Sequence, residues 1–298
     1  MAEIVGCLAM SHAPQLMLEP DRWSLLNTRS WDPLPERPEL ANQTLETKRQ
    51  KWNLCQAAIE QLRAKLAEFS ADTVVVVGDD QHENLLDDNM PPFAVFFGEQ
   101  AEASVSMRYL QQPLSENRTS YRVDAGLGRW LVVELMEAEF DPAYCLETRY
   151  EGGLGHAFAR PLRFLMADAR SAILPVMVNT YHPPAPSPRR CVQFGRALSA
   201  IIQRYPEHQR VVLLASGGLS HTRIDEALDH RVIQALESAD LPYLAAMSSS
   251  DLVEGTSEIR NWIVVAAAAN RPAQMVEYQP LYRTSNGVGC AMGFAYWE

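Results

Sequence analysis

Short runs of apolar residues recur along this 298-residue chain and are separated by amphipathic segments. The runs lack the polar alternation of a half-exposed strand, which is typical of strands buried on both faces of a sheet. Such strands need a layer of helices on each side. The runs are Ile4 to Met10, Thr73 to Val77, Phe93 to Phe97, Ala172 to Val178, Val211 to Ala215 and Cys290 to Tyr296.

The segments between these runs have the spacing of helices that bury one face. In residues 46–69 apolar side chains recur at intervals of three and four, while charged and amide side chains fill the opposite face. The recurring side chains are Cys55, Ile59, Leu62 and Leu66. Further helices are predicted over residues 127–140, 190–204, 226–237 and 256–270.

Strands that alternate with helices predict an α/β fold with a mostly parallel or mixed central sheet covered by helices on both faces. Residues 1–298 contain no internal repeat and no low-complexity tract, so we expect a single domain. Residues 17–45 are polar and proline-bearing with weak periodicity, and we predict that they form an excursion or lid on that domain.

The composition limits the partners of the chain. Hydrophobic residues make up 47% of it and charged residues 21%, which is typical of a globular protein with a large core. The net charge of −11 argues against nucleic acid or an anionic membrane, because both require a basic surface. No apolar stretch reaches the roughly 18 residues of a membrane span, and MAEIVGCLAM lacks the basic start of a signal peptide. The five scattered cysteines form no CxxC pair, so we expect reduced thiols in a cytoplasmic protein.

Three of the seven histidines stand directly after predicted strands. His12 follows EIVGCLAMS, His82 follows TVVVVGDDQ, and His221 follows VVLLASGGLS. In open α/β sheets ligands bind beyond the carboxyl ends of the strands, so the three imidazoles are predicted to converge there. Any one of them taken alone is better explained as an ordinary loop or turn residue.

Two imidazoles and one carboxylate that leave open positions form the ligand set of non-haem Fe(II) oxygenases. The carboxylate that stands out is Glu258 in GTSEIRNW, at the start of a predicted helix. Acidic residues also favour helix N-termini because of the helix dipole, and the residues alone favour that explanation for Glu258. Asp79, Asp80 and Glu83 are rival ligands beside His82.

Seven motifs give the chain a family likeness; each is weak alone, but their order and spacing together are specific. They are SHAP at 11–14, GDDQH at 78–82, GHAFARPL at 155–162, VNTYHPPAPSPRRC at 178–191, SGGLSH at 216–221, SEIRNW at 257–262 and SNGVGCAMGFA at 285–295. With these motifs the chain resembles the class III extradiol ring-cleavage dioxygenases. This is the family of the catalytic β subunit of protocatechuate 4,5-dioxygenase and of the gallate and methylgallate dioxygenases.

The resemblance implies an enzyme that uses Fe(II) and O₂ to open the ring of a catechol-type aromatic beside its two hydroxyl groups. The product would be a semialdehyde or a dicarboxylate. The resemblance implies that His12, His82 and Glu258 hold the iron. It further implies that His221 is the acid–base residue and that His156 contacts the substrate.

The chain departs from the family pattern at two places. Members often have Asn-Asp-His at the second ligand, where this chain has Asp80, Gln81 and His82. They often have Asp-His where this chain has Gly155 and His156. Both changes border the expected substrate pocket, so they bear on which aromatic diol is bound.

Four further residues are candidates for substrate contact: Asp80, Arg189, Ser285 and Asn286. Arg189 could pair with a substrate carboxylate, although a place on the surface or at a helix start explains it better. A turn role explains Ser285 and Asn286 equally well. The resemblance also implies a homodimer or larger homo-oligomer, with a small second subunit in some members.

Two other functions stay open. A zinc-dependent hydrolase or amidase could use the same histidines and glutamate, although the chain has no HExxH motif. A non-catalytic binding protein on the same scaffold would be expected to lose ligands, whereas His12, His82, His221 and Glu258 are all present. A serine hydrolase is disfavoured because the sequence has no G-x-S-x-G elbow.

Overall fold

The computed structural model describes residues 1–26 and 35–298. Its strands are β1 (Glu3–Met10), β2 (Thr73–Gly78), β3 (Phe93–Phe96), β4 (Gln100–Ser104), β5 (Arg118–Arg122), β6 (Ala143–Cys145), β7 (Ala172–Val178), β8 (Arg210–Ser216), β9 (His221–Arg223), β10 (Gln274–Tyr282) and β11 (Val288–Trp297). Its α-helices are α1 (Leu45–Phe69), α2 (Ala125–Glu137), α3 (His156–Leu165), α4 (Pro188–Arg204), α5 (Glu226–Glu237), α6 (Leu241–Ala246) and α7 (Ile259–Ala269).

One large mixed sheet forms the centre of the fold. Its strand order is β10-β11-β1-β8-β2-β7-β3-β6, and β9 pairs with β11 at its side. The central strands β1, β8, β2 and β7 are parallel, whereas β11 runs antiparallel to β1 and β3 runs antiparallel to β7. The prediction of an α/β fold with a mostly parallel or mixed sheet is confirmed.

The apolar runs are buried as the sequence predicts. The four consecutive valines of β2, at 74–77, are completely inaccessible to solvent. Helices α1 and α3 pack on one face of the sheet, and α4 and α7 pack on the other. Every residue of α7 is buried, which accounts for its uninterrupted IVVAAAA sequence. Removal of this apolar surface from water is the main force that holds the layers together.

The carboxyl ends of three adjacent parallel strands open at one edge of the sheet. Because β8 lies between β1 and β2, the residues that follow these strands, at 11–12, 79–81 and 217–221, come together. This edge is where open α/β sheets bind ligands. The fold therefore gathers polar side chains that are up to about 200 residues apart in sequence, such as His12 and Ser216.

Several elements differ from the sequence prediction. The helix predicted from residue 256 begins only at Ile259, because Glu254–Glu258 forms a 3₁₀ turn. The excursion predicted at 17–45 contains the 3₁₀ turns Pro20–Leu26 and Pro38–Leu40, and its residues 27–34 lie outside the described residues. Among the residues that the structure describes, no helix has the length and apolar character to cross a membrane.

Candidate active site

His12 follows β1 and is fixed by a chain of hydrogen bonds. Its Nδ1 lies 2.9 Å from Ser216 Oγ, and that hydroxyl donates its own hydrogen to the Ala157 carbonyl. Ser216 Oγ therefore accepts from His12 Nδ1–H, which leaves Nε2 with a free lone pair. Arg160 Nη1 donates to the His12 carbonyl at 3.1 Å and holds the backbone. The neutral tautomer with an available Nε2 is the form that binds a metal.

Glu258 supplies a buried carboxylate next to His12. Its Oε1 lies 3.5 Å from His12 Nε2, and its Oε2 accepts a hydrogen bond from the Gly218 amide at 2.8 Å. Glu258 is the N-cap residue of α7, but its side chain makes no capping hydrogen bond to the helix, so free helix amides do not account for where the carboxylate lies. Burial opposes ionisation of Glu258, but the His221 imidazole holds its pKa well below the usual value.

Two glycines make room for the site side chains. A Cβ at Gly217 would lie 2.8 Å from the Glu258 Cβ, and a Cβ at Gly255 would overlap the His221 ring. Contacts this short are not tolerated in a packed interior. Any side chain at either position would therefore displace Glu258 or His221.

Asp79 and Gln81 complete the buried group at the end of β2. Gln81 Nε2 donates to Asp79 Oδ2 at 3.0 Å and to Glu258 Oε1 at 3.1 Å. Burial and the charge of Glu258 raise the pKa of Asp79 to about 7. Two carboxylates thus face each other with one carboxamide between them.

The arrangement can hold a divalent cation. One ligand atom each from His12, Asp79 and Glu258 lies within 4.8 Å of the others, and all three residues are buried. A cation would neutralise the two carboxylates and take the lone pair of His12 Nε2. This donor set of one imidazole and two carboxylates differs from the two-imidazole set implied by the sequence motifs.

His82 lies outside this group in the structure, and its assignment as a metal ligand stays a prediction. Its backbone is left-handed, with a φ of 60°, and its ring stacks on the His182 ring with 3.5 Å between centroids. His82 Nε2 pairs with Asp87 Oδ1 at 2.9 Å. The left-handed turn directs His82 away from the strand end, and Gln81, one residue earlier, faces the site instead.

His221 is positioned to hold a proton beside Glu258. Its Nε2 lies 3.4 Å from Glu258 Oε1, and its Nδ1 lies 3.2 Å from the Leu219 carbonyl. Burial opposes a charge on the ring, but Cys290 and Glu258 raise the pKa of His221 well above its ordinary value. Reciprocal hydrogen bonds with Thr256 fix its backbone.

His156 begins α3 and lies beside His12, with the two rings edge to face at 5.1 Å. Glu83 accepts from the His156 amide at 3.0 Å and lies 3.0 Å from His156 Nδ1. Burial opposes ionisation of Glu83, but the His156 imidazole holds the pKa of this carboxyl below its usual value. A Cβ at Gly155 would overlap Glu83. The departure from the family pattern at Gly155 therefore makes room for the Glu83 carboxylate.

The four other residues predicted to contact substrate lie away from the cavity. Asp80 is buried, and its carboxylate accepts hydrogen bonds from the backbone amides of residues 83–85, so it shapes the loop after β2. Arg189 is exposed in the first turn of α4. Ser285 is exposed, and Asn286 accepts a hydrogen bond within the turn before β11. In the part of the chain that the structure describes, none of the four lines the cavity.

A cavity of about 390 Å³ opens beside the buried donors, large enough for one substituted aromatic ring. It is lined by His12, Gln81, His156, His221 and Glu258, together with Tyr109, Tyr150, Arg108, Arg160 and Arg283. The cavity therefore places His12 and Glu258 in the same space as three guanidinium groups.

The three arginines were not predicted from the sequence. Arg160 is buried and its Nε has no hydrogen-bond partner. Arg283 donates to the Leu26 carbonyl at 2.9 Å, its Nε is also unpartnered, and burial lowers its pKa. Arg108 stacks over the Tyr150 ring at 4.5 Å. Only Arg160 carried a sequence signal, because it follows His156 by four residues on one helix and so shares its face.

Residues 34–293 match the family described as "Catalytic LigB subunit of aromatic ring-opening dioxygenase". The chain is 29% identical over 164 residues to a 2,3-dihydroxyphenylpropionate/2,3-dihydroxicinnamic acid 1,2-dioxygenase of Klebsiella pneumoniae, which is 55% of this chain and 48% of that protein. It is 27% identical over 215 residues to a protein of the same name from Escherichia coli strain E24377A, which is 70% of this chain and 60% of that protein. The chain thus matches about half to three fifths of the length of these relatives.

The fold also resembles a solved structure, that of an uncharacterized protein from Escherichia coli K12. The two have a TM-score of 0.54 and 14% sequence identity, and the similarity covers 98% of this chain and 99% of that one. At this identity the likeness concerns the fold alone.

Proposed function

We propose that this chain, which belongs to the family of the catalytic LigB subunit of aromatic ring-opening dioxygenases, is a metal-dependent extradiol dioxygenase. It would use O₂ to open the ring of a catechol-type aromatic beside its two hydroxyl groups, giving a semialdehyde or a dicarboxylate. The observation that carries the proposal is the meeting of His12, Glu258 and His221 in one cavity at the carboxyl ends of β1 and β8.

The buried donors fit a divalent metal, and we propose Fe(II) as the resident ion. Ser216 holds His12 in the tautomer whose Nε2 can bind a metal. Asp79 and Glu258 add two oxygen donors, a combination that suits Fe(II) and also Mn(II). When bound, Fe(II) would acidify a substrate hydroxyl and supply the redox chemistry that ring opening by O₂ requires.

Gln81 would keep the two carboxylates apart and oriented. Its Nε2 donates to Asp79 Oδ2 and to Glu258 Oε1. Hydrogen bonds to charged groups are worth about 1.5–3 kcal/mol each, so the carboxamide offsets part of the repulsion between the two acids. It would act as a positioning residue for both of them.

His221 would carry the proton of the reaction. Because its Nδ1 faces the Leu219 carbonyl, Nε2 is the ring nitrogen that faces Glu258 and can exchange a proton with substrate. A metal bound to Glu258 would neutralise part of the charge that raises the pKa of His221, so that a neutral Nε2 could take a proton from a substrate hydroxyl on binding and return it as the ring opens. His156, oriented by Glu83 at Nδ1, would hydrogen-bond a substrate hydroxyl through its other nitrogen.

The arginines that line the cavity favour a substrate that carries a carboxylate. Arg108, Arg160 and Arg283 line the same cavity as His12 and Glu258. Arginine binds carboxylates through two parallel hydrogen bonds. Protocatechuate, gallate, methylgallate and 2,3-dihydroxyphenylpropionate all present an aromatic diol with a carboxylate and belong to the proposed substrate class.

Oxygen consumption tests the proposal. The purified chain is loaded with Fe(II) under anaerobic conditions, and O₂ uptake and the spectrum of ring-opened product are followed with catechol and with the four carboxylated diols. We expect uptake with at least one of them, its loss in Glu258→Gln, and its retention in Arg189→Gln, whose side chain is exposed away from the cavity. No uptake with any diol by the iron-loaded chain would contradict the proposal.

A zinc hydrolase or amidase is the second candidate, because an imidazole with two carboxylates also suits a catalytic Zn(II). Hydrolysis does not need O₂, so turnover of an amide or ester by the zinc-loaded chain under anaerobic conditions would favour it. Binding of an aromatic diol without any turnover would favour a non-catalytic binding protein. A cytoplasmic location and a homo-oligomeric state, alone or with a small second subunit, belong to the main proposal; sedimentation of the purified chain tests the oligomer.

A further inference from the structure

We infer that Arg160 is a catalytic residue that stabilises the negative charge of the bound diol. Its guanidinium would donate to a diol oxygen that has lost its proton, in the cavity that it lines together with His12 and Glu258. The inference rests on the proposed function, and it gives Arg160 a role different from that of Arg108 and Arg283.

Arg160 is anchored beside the proposed metal ligands. It lies one helical turn after His156 on α3, and its Nη1 donates to the His12 carbonyl at 3.1 Å. The guanidinium also interacts with the Tyr109 hydroxyl, and Tyr109 lines the same cavity. The guanidinium is therefore fixed within one hydrogen bond of a residue that is expected to hold the metal.

The other two arginines of the cavity are held by other parts of the chain. Arg283 donates to the Leu26 carbonyl at 2.9 Å and is half-buried, and Arg108 is exposed and stacks over the Tyr150 ring. Among the cavity-lining residues that the structure describes, Arg160 is the only buried arginine, with 5% of its surface exposed. A charge that is shielded from water acts more strongly on its neighbours than a charge at the surface does.

Arg160 has no counter-charge of its own in the described parts of the chain. The groups that it contacts, the His12 carbonyl and the Tyr109 hydroxyl, are neutral. The charge of Glu83 interacts with it at longer range, but that carboxylate already pairs with His156. A buried charge without a close partner of opposite sign is costly. An anionic oxygen of a ligand in the cavity would provide that partner.

The charge balance of the site explains why a cation is useful at this position. A divalent ion would balance the two carboxylates of Asp79 and Glu258. A diol that gives up a proton to His221 would then add a negative charge beside them. Donors that already face the place where charge develops are often the largest contribution to catalysis, and a guanidinium forms strong hydrogen bonds to an anionic oxygen. Because Arg160 would act on the diol itself, its role requires no carboxylate on the substrate.

Binding of 4-nitrocatechol to the Zn(II)-loaded chain tests the inference without turnover, because Zn(II) has no redox chemistry. This diol changes colour when it ionises, so its absorbance reports both binding and the loss of the proton. We expect the parent chain to bind the ionised form. Arg160→Gln should lower the affinity about 10–100-fold and reduce the ionised fraction of the bound probe, whereas Arg160→Lys, which keeps the charge, should restore most of that fraction.

Arg163→Gln is the matched control, because Arg163 is exposed on the same helix and does not line the cavity. We expect this variant to bind the probe as the parent chain does. The Zn(II) content of every variant is measured, since Arg160 also holds the His12 backbone. If Arg160→Gln does not fold, Arg160→Met takes its place with the same expected result.

Three results would overturn the inference. The first is parent-like affinity and absorbance in Arg160→Gln with its full Zn(II) content. The second is a loss of Zn(II) that accounts for the whole loss of binding. The third is a lysine variant as weak as the glutamine variant, because packing rather than charge would then be responsible.

Oxygen uptake by the Fe(II)-loaded parent chain separates this inference from the proposed function. Uptake together with a parent-like Arg160→Gln would overturn the inference alone. Binding of the ionised probe that depends on Arg160, without uptake of O₂ with any diol, would contradict the proposed function alone.

Discussion

The side-chain amide of Gln81 donates a hydrogen bond to Glu258 Oε1 at 3.1 Å. Gln81 thus occupies the place beside His12 and Glu258 that the sequence motifs implied for a histidine. Gln81 offers no second imidazole to a metal in this place, because a carboxamide nitrogen cannot coordinate as an imidazole does.

Replacing Gln81 by histidine should give the buried group a second imidazole. Imidazole binds Fe(II), Zn(II) and Ni(II) more strongly than a carboxamide does, so we expect at least a tenfold gain in Zn(II) affinity. Competition with a coloured chelator measures the change, and Gln81→Asn serves as the control that retains a carboxamide. Equal affinity in Gln81→His and the parent chain would show that residue 81 does not face the metal.

Ser216→Ala should weaken metal binding without removing a ligand. The Ser216 hydroxyl fixes the His12 tautomer, and loss of such a partner typically costs 10–100-fold in metal affinity or activity. We expect a drop of about that size, measured by the same competition assay. Ser11→Ala is a comparable control, because the Ser11 hydroxyl accepts only from the Gly293 amide at 2.9 Å; a matching loss there would refute the tautomer argument.

His221→Asn should slow turnover while leaving the metal in place. General acid–base catalysis contributes typically 10²–10⁴-fold, so we expect kcat to fall by about this factor, with a much smaller change in KM. Metal content by elemental analysis and kcat by oxygen uptake separate the two effects. A variant that loses its metal together with its activity would indicate that His221 is a ligand rather than the acid–base residue.

Arg283→Gln should lower kcat/KM for diols that carry a carboxylate more than for catechol, which carries none. A hydrogen bond to a charged group is worth about 1.5–3 kcal/mol, so kcat/KM for protocatechuate should fall by about 10–100-fold. The value for catechol should change little. Arg189→Gln is the matched control, and an equal loss for both diols would mean that Arg283 supports the cavity wall instead of the carboxylate.

Asp229 is a buried acid outside the cavity, and the Asp229→Asn variant tests how its ionisation affects the stability of the fold. Asp229 accepts hydrogen bonds from the Ser220 amide and hydroxyl at 2.7 Å and from the Tyr278 hydroxyl at 2.8 Å. Burial nevertheless raises its pKa to about 6. Since the pKa is higher in the folded chain than the 3.8 of an ordinary aspartate, the stability that Asp229 contributes is complete below 3.8 and is lost as the pH rises to about 6.

The asparagine variant should therefore gain stability relative to the parent chain as the pH rises from about 4 to about 6.5, by about 3 kcal/mol at most. The Ser220 and Tyr278 hydroxyls can rotate to accept from the new amide, so the hydrogen-bond network survives. Urea unfolding at a series of pH values measures the difference. A difference that does not vary with pH would mean that Asp229 titrates normally in the folded chain.

The sheet could be predicted because runs such as the four valines of β2 are too apolar to lie anywhere but between two layers of helices. Strands β9 and β10 could not be predicted from the sequence. The three residues of β9 pair only with β11, about 65 residues later, and half of β10 is partly exposed. The local sequence of a strand does not reveal that it pairs with a distant strand or that it is partly exposed. The family resemblance is confirmed by the match of residues 34–293 to the family model.

The buried donor set depends on the shape of a single loop. The left-handed conformation of His82 exchanges the directions of two successive side chains, so Gln81 faces the cavity and His82 faces His182. Asp79 directly follows a strand buried to its last residue, a position that the sequence did not distinguish from those of Asp80 and Glu83. Family members often have aspartate where this chain has Gly155. The reason for the glycine could not be inferred from the sequence, since the Glu83 carboxylate that occupies the place of a side chain is 72 residues away.

Because β8 lies between β1 and β2 in the sheet, the site can form only after β8 has been synthesised. A nascent chain that has left the ribosome as far as β2 already contains His12 and Asp79. It still lacks β8, the strand that lies between β1 and β2 and brings the ends of these strands together. The carboxylate of Glu258 emerges later still, so the metal-binding group can assemble only in the last part of translation. An unfinished chain therefore lacks the complete set of donors with which the proposed metal ion would be bound.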